Sequence, residues 1–351
     1  MAVISTPLTE LFGIDHPVIL AGMNVAAGPR LAAAVTNAGG LGVIGGVRQT
    51  PKILRQNIKE LKEGLDRKDA PFGVDLLLPS VGGTARKTNY DYTGGQLDQL
   101  LDVIIEEGTK LFVSAVGVPP AYAVEKLHKA GILVMNMVGH PKHVKKALDV
   151  GVDIICAQGG EGGGHTGDTP TSILIPACVD ACKGRTSPLT GKPIYVVAAG
   201  GIYDGRGLAA ALSWGAQAVW VGTRFVASVE AGAPKKHKEL VVSAVFGDAE
   251  RTLIYSGRPM RVRRTDYVKQ WEKRQDEIEK LCSEGKIPHE VELSKKPELS
   301  MPGRAWLMGS VSAVIDQVLP AKTIIDNFVY GAKEVIEANN AKLVGGARAR
   351  L

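Results

Sequence analysis

Residues 157–168 read AQGGEGGGHTGD, six glycines around one glutamate and one histidine. Glycine inside regular structure costs about 0.5–1 kcal/mol relative to alanine. A run this dense therefore describes a loop whose backbone lies close against something else. His165 titrates near neutral pH, which makes it a candidate general base over whatever lies there. Gln158 offers an amide to a planar ligand. Two further segments present bare backbone N–H groups: Gly200 and Gly201 in VVAAGGI, and Gly222 followed by Thr223 in VWVGT. Such groups, with one hydroxyl at helix starts, form an anion site large enough for one phosphate. Each pair alone would serve a tight turn equally well; their places in the element order favour phosphate.

Those places follow from eight short apolar runs: PVILAG (17–22), LGVIGG (41–46), FGVDLLL (72–78), LFVSAVG (111–117), ILVMNMVG (132–139), DIICAQGG (153–160), IYVVAAGG (194–201) and AVWVGT (218–223). Their length and β-branched content read as buried parallel strands. Amphipathic stretches such as PRLAAAVTNAG, AYAVEKLHKAG, PKHVKKALDVG and GRGLAAALSWGA lie between many of them, several closing on glycine. Strand then helix, eight times over, predicts a (β/α)₈ TIM barrel, whose working face is at the C-terminal strand ends and which often holds phosphate after strands seven and eight. A doubly wound open sheet competes poorly, because no G-x-G-x-x-G follows the first strand. The barrel is expected over 1–230 plus 310–351, closed by an amphipathic helix at about 311–338. Between them, 231–309 carries the charged stretch RRTDYVKQWEKRQDEIEKLCSEGKIP and the loop-like ELSKKPELSMPGRAW, with no evident strand pattern. It reads as a mainly helical insertion or lid over one side of the barrel.

Composition narrows the classes. Apolar residues at 45% and charged residues at 22% fit an ordinary globular protein and exclude a disordered chain. No apolar run reaches the length of a membrane span. Four cysteines are too few for a disulfide scaffold, and Cys178 and Cys182 lack partners for a metal site, so none is expected. The net charge of +6 gathers in PKKHK (234–238) and RVRR (261–264) without interleaved aromatics, which reads as a solvated face and not a nucleic-acid surface. The opening MAVISTPLTELFG has neither a basic nor an apolar signal region, so a cytoplasmic location is expected. Ala349-Arg350-Leu351 resembles a relaxed peroxisomal address, relevant if the source is eukaryotic.

QGGEGGGHTGD together with VVAAGGIYDGRGLAAALSWGAQAVWVGTRF resembles the nitronate monooxygenase (2-nitropropane dioxygenase) family, whose relatives include FMN-dependent enoyl-acyl-carrier-protein reductases. The likeness covers nearly all of 7–230, including PVILAGMN, and weakens over SGRPMRVRRT and WLMGSVSAV. It implies FMN with its phosphate on Gly200, Gly201, Gly222 and Thr223. It implies ring contacts from Gly22, Met23, Asn24, Gln158 and Gly163 and near Gly309 and Ser310, and His165 as the catalytic base. Three positions depart from the pattern: Gly162 replaces an alanine, Asp75 brings a carboxylate charge where an asparagine commonly meets the flavin, and Trp220 stands where a glutamine is often found.

The implied reaction is the oxidation of alkyl nitronates or nitroalkanes with O₂. Two alternatives stay open: an NAD(P)H-dependent FMN reductase acting on enoyl thioesters or quinones, and an FMN-binding protein without turnover. A passive site needs no base, so His165 speaks against the second. A nucleotide dehydrogenase on a similar barrel would need a cysteine nucleophile after strand six, and none is there. The expected partners are a small-molecule substrate and O₂, with neither nucleic acid nor membrane; a homodimer stays open.

Overall fold

The computed structural model describes residues 2–78 and 86–343; the Ala349-Arg350-Leu351 ending lies outside them. Among the described residues eleven strands occur in chain order: β1 (Val18–Leu20), β2 (Gly42–Gly45), β3 (Phe72–Leu77), β4 (Leu111–Ala115), β5 (Leu133–Val138), β6 (Ile154–Gln158), β7 (Gly164–His165), β8 (Tyr195–Ala199), β9 (Ala218–Val221), β10 (Ala249–Thr252) and β11 (Met260–Arg263). Eight form one parallel sheet in the order β1-β9-β8-β6-β5-β4-β3-β2. A parallel bridge between Ile19 and Leu41 joins its two ends into a nearly closed barrel. All eight expected strands are present, each inside the run that predicted it.

Alternation along the strands divides the core. Val43, Val113, Met135, Cys156, Val197 and Trp220 point inward and pack against one another. Ile44, Val74, Phe112, Val134, Ile155 and Val219 belong to the outer layer beneath the helices. Both faces are thus buried, which is why the strands read as continuous apolar runs. Leu8 and Phe12 of the Pro7–Phe12 helix join the inner cluster and plug one end. Local chemistry sets the helix starts: Thr50 caps Pro51–Glu63, and Asp204 caps Gly205–Ser213 through the Arg206 and Gly207 amides.

The mainly helical insertion carries strands its sequence does not announce, and the expected closing helix needs correction. The 231–309 segment contains strands β10 and β11, which pair antiparallel with each other and, through β11, with β7. They escape the apolar-run criterion because AERT and MRVR put arginines on one face and Thr252, Met260 and Val262 on the other. Its helices span Lys235–Val242, Asp266–Glu272, Gln275–Ser283 and Pro288–Lys295, and the segment has its own small core around Trp271, Val268, Ile254 and Val262. The expected helix at 311–338 is two elements, a 3₁₀ turn at Ser310–Val314 and a helix at Ala321–Asn340. Pro320, which disfavours helical backbone in the residue before it, separates them.

Candidate active site

The C-terminal ends of the barrel strands open into one cavity of about 1110 Å³. The loop after β6 reaches it by folding back on itself. Gly164 and His165 form β7 and pair with Arg261 and Met260 of β11. Arg261 donates from Nε and Nη2 to the Gly160 carbonyl at 3.1 and 2.8 Å and from Nη1 to the Ala249 carbonyl at 2.9 Å. Arg251 donates to the Gly167 carbonyl at 2.7 Å. The loop is therefore held from outside by two guanidiniums on the small sheet. Glu161 turns the other way: its carboxylate accepts from the Thr171 amide and, at 2.7 Å, from the Thr171 hydroxyl at the start of the Thr171–Cys182 helix. Its charge thus serves that helix start.

His165 lines the cavity. Its Nε2 lies 2.9 Å from Ser256 Oγ, and its carbonyl accepts from Gln158 Nε2 at 2.7 Å. Burial, and then the nearby Arg258 cation, push its pKa down to about 4. The imidazole is accordingly neutral at neutral pH, and Nδ1 makes no hydrogen bond with the described residues. Arg258 is held by the Asn89 side chain at 2.9 Å and the Val116 carbonyl at 3.1 Å. The Gln158 amide expected to face a ligand is partly committed to the His165 backbone, which leaves its Oε1 and second N–H for other partners.

Gly22, Met23, Asn24, Asp75, Gln158, Gly163, Gly200, Gly201, Gly222 and Thr223 all line the same cavity as His165. Gly309 and Ser310 lie just behind that lining. The Gly309 amide donates to Thr223 Oγ1 at 2.9 Å, and the Ser310 amide donates to the Glu161 carbonyl at 2.9 Å. A Cβ on Gly163 would lie 2.7 Å from Gly309 N, so only glycine lets the two segments meet. Asn24 accepts from the Val25 amide at 3.0 Å and starts a 3₁₀ turn. Trp220 is buried among the inward-facing residues of the barrel and also lines the cavity.

Folding acts against the expected charge on Asp75. Its side chain is buried, and burial alone holds its carboxyl well above the usual carboxylate range. Ser256 and Arg258 are not singled out by the sequence, and Arg261, read there as part of a solvated face, instead commits its guanidinium to the Gly160 and Ala249 carbonyls. Their one legible signal is the alternation in RPMRVR, which marks a strand with arginines on one face. Cys178 and Cys182 are buried thiols, pushed up to about 12 and about 11 by burial, and no cluster suited to a metal occurs among the described residues. No helix among the described residues is long and apolar enough to cross a membrane.

The residues present fit a flavin phosphate and ring. Gly200 and Gly201 have left-handed backbone at the end of β8, and Gly222 with Thr223 follows β9, so two glycine-bearing turns sit side by side. Thr223 Oγ1, an acceptor for Gly309, keeps its own proton for an anion. Residues 22–24, Gly163 and Gln158 would flank the ring.

A parallel barrel with glycine turns after its last two strands and a neutral histidine over the same cavity defines a cofactor-dependent barrel enzyme. Over residues 5–331 the chain matches the nitronate monooxygenase family, and it belongs to that family. It is an oxidoreductase flavoenzyme. The chain is 38% identical, over 76% of its length and 68% of the relative's, to the (3aS,4S,5R,7aS)-5-hydroxy-7a-methyl-1-oxo-octahydro-1H-indene-4-carboxyl-CoA dehydrogenase of Rhodococcus jostii. Among solved structures it is similar to FabK from Thermotoga maritima, with 32% identity, TM-score 0.80, and 97% of this chain and 100% of that one covered. It is also similar to nitroalkane oxidase from Streptomyces ansochromogenes, with 25% identity, TM-score 0.79, and 95% and 99% covered.

Proposed function

We propose that the protein oxidises alkyl nitronates, and more slowly nitroalkanes, with FMN as its cofactor and O₂ as the electron acceptor. The observation that carries this reading is the neutral His165 imidazole beside the Arg258 guanidinium in the cavity that the glycine turns line. Bound FMN supplies a two-electron acceptor for the substrate and a site of reaction with O₂. The chain's own residues do the rest. Arg258 puts a positive charge where an anionic nitronate would sit, in surroundings drier than water, where it acts more strongly. When a neutral nitroalkane is offered, His165 takes the α-proton and Ser256 holds the ring that receives it. A base with a pKa of about 4 is weak, and Brønsted behaviour makes it slow on a carbon acid. Preformed nitronates are thus the favoured substrates.

A second reading has its own observation. Lys142, His143, Lys146 and Arg304 line the cavity and make part of its wall basic. That charge suits an acyl or enoyl thioester on a phosphorylated carrier, reduced by NAD(P)H through the flavin.

The two substrate forms test the base. Removing a positioned general base typically costs 10²–10⁴-fold. His165→Asn should lose nitroethane-dependent O₂ uptake by about that factor while keeping most activity on ethyl nitronate and its bound flavin. Equal rates of parent and variant on nitroethane would remove His165 from the role.

A further inference from the structure

The ring of strands sets two unlike walls against each other. Lys142 and Lys146 follow β5, and Arg258 reaches the Val116 carbonyl after β4. Diametrically across the ring, where β1 pairs with β9, the cavity is lined by Val25, Val226, Ala233, Pro234, Leu307 and Val311. Hydrogen bonds tie the segments that carry them into one surface. The Gly232 amide donates to the Ala26 carbonyl at 3.1 Å, and His237 Nε2 donates to the Leu307 carbonyl at 2.8 Å. The Gly309 amide donates to Thr223, which opens the short helix ending at Val226. Arg304 also lines the cavity here, with its guanidinium stacked 4.8 Å from the Trp306 ring centroid. Val25 is 60% exposed and Leu307 38%, although both are large and apolar. Val25 moreover has φ of +23°, rare for a β-branched residue, and a Cβ on Gly232 would lie 2.3 Å from its carbonyl oxygen. A costly backbone conformation thus puts this side chain on the open cavity. The strip begins next to the base, because a Cβ on Gly164, the residue before His165, would meet Leu307 Cδ1 at 3.9 Å.

We infer that this apolar strip seats the hydrocarbon chain of the substrate, with Val25 and Leu307 setting a preference for longer-chain nitronates over ethyl nitronate. The assignment rests on the nitronate reading, which puts the anionic head at His165 and Arg258. Single exposed apolar residues carry no meaning, but a contiguous apolar surface that borders a site marks where an apolar partner is buried. A chain leaving a head held beside Leu307 has that strip to follow, while the wall across the ring is basic. Full burial of one methylene is worth about fourfold in binding. A chain lying on an open strip is covered on one side, so about twofold per methylene is expected. The four methylenes that separate ethyl from hexyl nitronate then give about 15-fold in kcat/KM. The gain belongs in KM, because the strip holds the chain equally in the ground and transition states.

Two series on the FMN-loaded protein test this. In the first, O₂ uptake with ethyl, butyl and hexyl nitronates should show KM falling along the series and kcat/KM for hexyl about 15-fold that for ethyl. In the second, propanoate, pentanoate and heptanoate, whose carboxylate heads resemble a nitronate, are titrated against the visible spectrum of the flavin, and Kd should tighten by a similar factor. Equal values along both series would overturn the inference and leave nitronate oxidation standing. If none of the nitronates is oxidised while the longer carboxylates bind more tightly, the nitronate reading fails and the chain-binding strip stands. Leu307→Ala and Val25→Gly shorten the strip, and each should lower the hexyl-to-ethyl ratio about threefold. A ratio unchanged in both variants would overturn the assignment to these residues. The parent series alone decides whether a chain is bound, should a variant fold poorly.

Discussion

Replace Gly200 by alanine, and in a second variant do the same at Gly201. Both residues have left-handed backbone, with φ of +87° and +73°. Each substitution therefore incurs the same backbone term, about 1–2 kcal/mol for a residue with a Cβ. Their surroundings differ. A Cβ on Gly200 would lie 2.7 Å from the Gly159 carbonyl oxygen and 2.9 Å from its nitrogen, both backbone. A Cβ on Gly201 would meet the Glu161 side chain at 3.3 Å and little else. Only the first forces apart the ends of β6 and β8, which adds an overpacking cost of about 1–3 kcal/mol. Gly200→Ala should lose about 2–5 kcal/mol of stability and Gly201→Ala about 1–2 kcal/mol. Because Gly200 moves the turn that would seat the phosphate, its FMN affinity should fall at least tenfold, equivalent to about 1.4 kcal/mol, and that of Gly201→Ala by much less. Urea unfolding of apo-protein gives the first quantity, and quenching of FMN fluorescence the second. Equal losses in the two variants would refute the close approach of the two loops as the reason for glycine here.

Other outcomes follow from the same geometry. His165 should titrate by NMR with a midpoint near 4, since burial lowers it from 6.5; a midpoint near 6.5 would contradict a buried ring. The sign for stability is that of a depressed histidine. The unfolded chain takes the proton first, so His165 costs nothing above pH 6.5 and destabilises the fold as pH falls from 6.5 towards 4. Ser256→Ala removes the partner of His165 Nε2 and should lower kcat/KM for nitroethane about tenfold with FMN affinity unchanged, which steady-state kinetics beside a flavin titration would show. Arg261→Lys cannot reproduce the forked donation to Gly160 and Ala249. It should loosen the 159–168 loop enough to speed hydrogen exchange of the Gly164 and His165 amides, while unchanged exchange would mean that the loop holds itself.

The barrel strands were legible because each is buried on both faces and so writes its whole length in apolar residues, as Ile154–Ala157 and Val196–Ala199 do. The glycine turns were legible for the opposite reason, since a backbone that must approach another leaves no side chain, as at Gly163 and Gly200. What stayed hidden depends on pairing between distant segments. Ser256 meets His165 only because β11 adds to β7 across 95 residues, from Met260 to His165, and a hairpin half made of arginines carries no apolar run. The burial that pushes the Asp75 carboxyl up is not legible in the sequence, because a carboxyl's titration is set by its surroundings, which composition does not give. Glu161, central to the motif, lines the cavity but commits its carboxylate to Thr171, which lies within its reach.

Anaerobic mixing of the FMN-loaded protein with ethyl nitronate, and separately with NADH, tests the proposed reaction most directly. The account predicts that nitronate bleaches the flavin rapidly and that admitted O₂ restores the colour, with NADH slow or inert. Bleaching by NADH alone, with nitronate leaving the flavin oxidised, would contradict nitronate oxidation and favour the reductase reading.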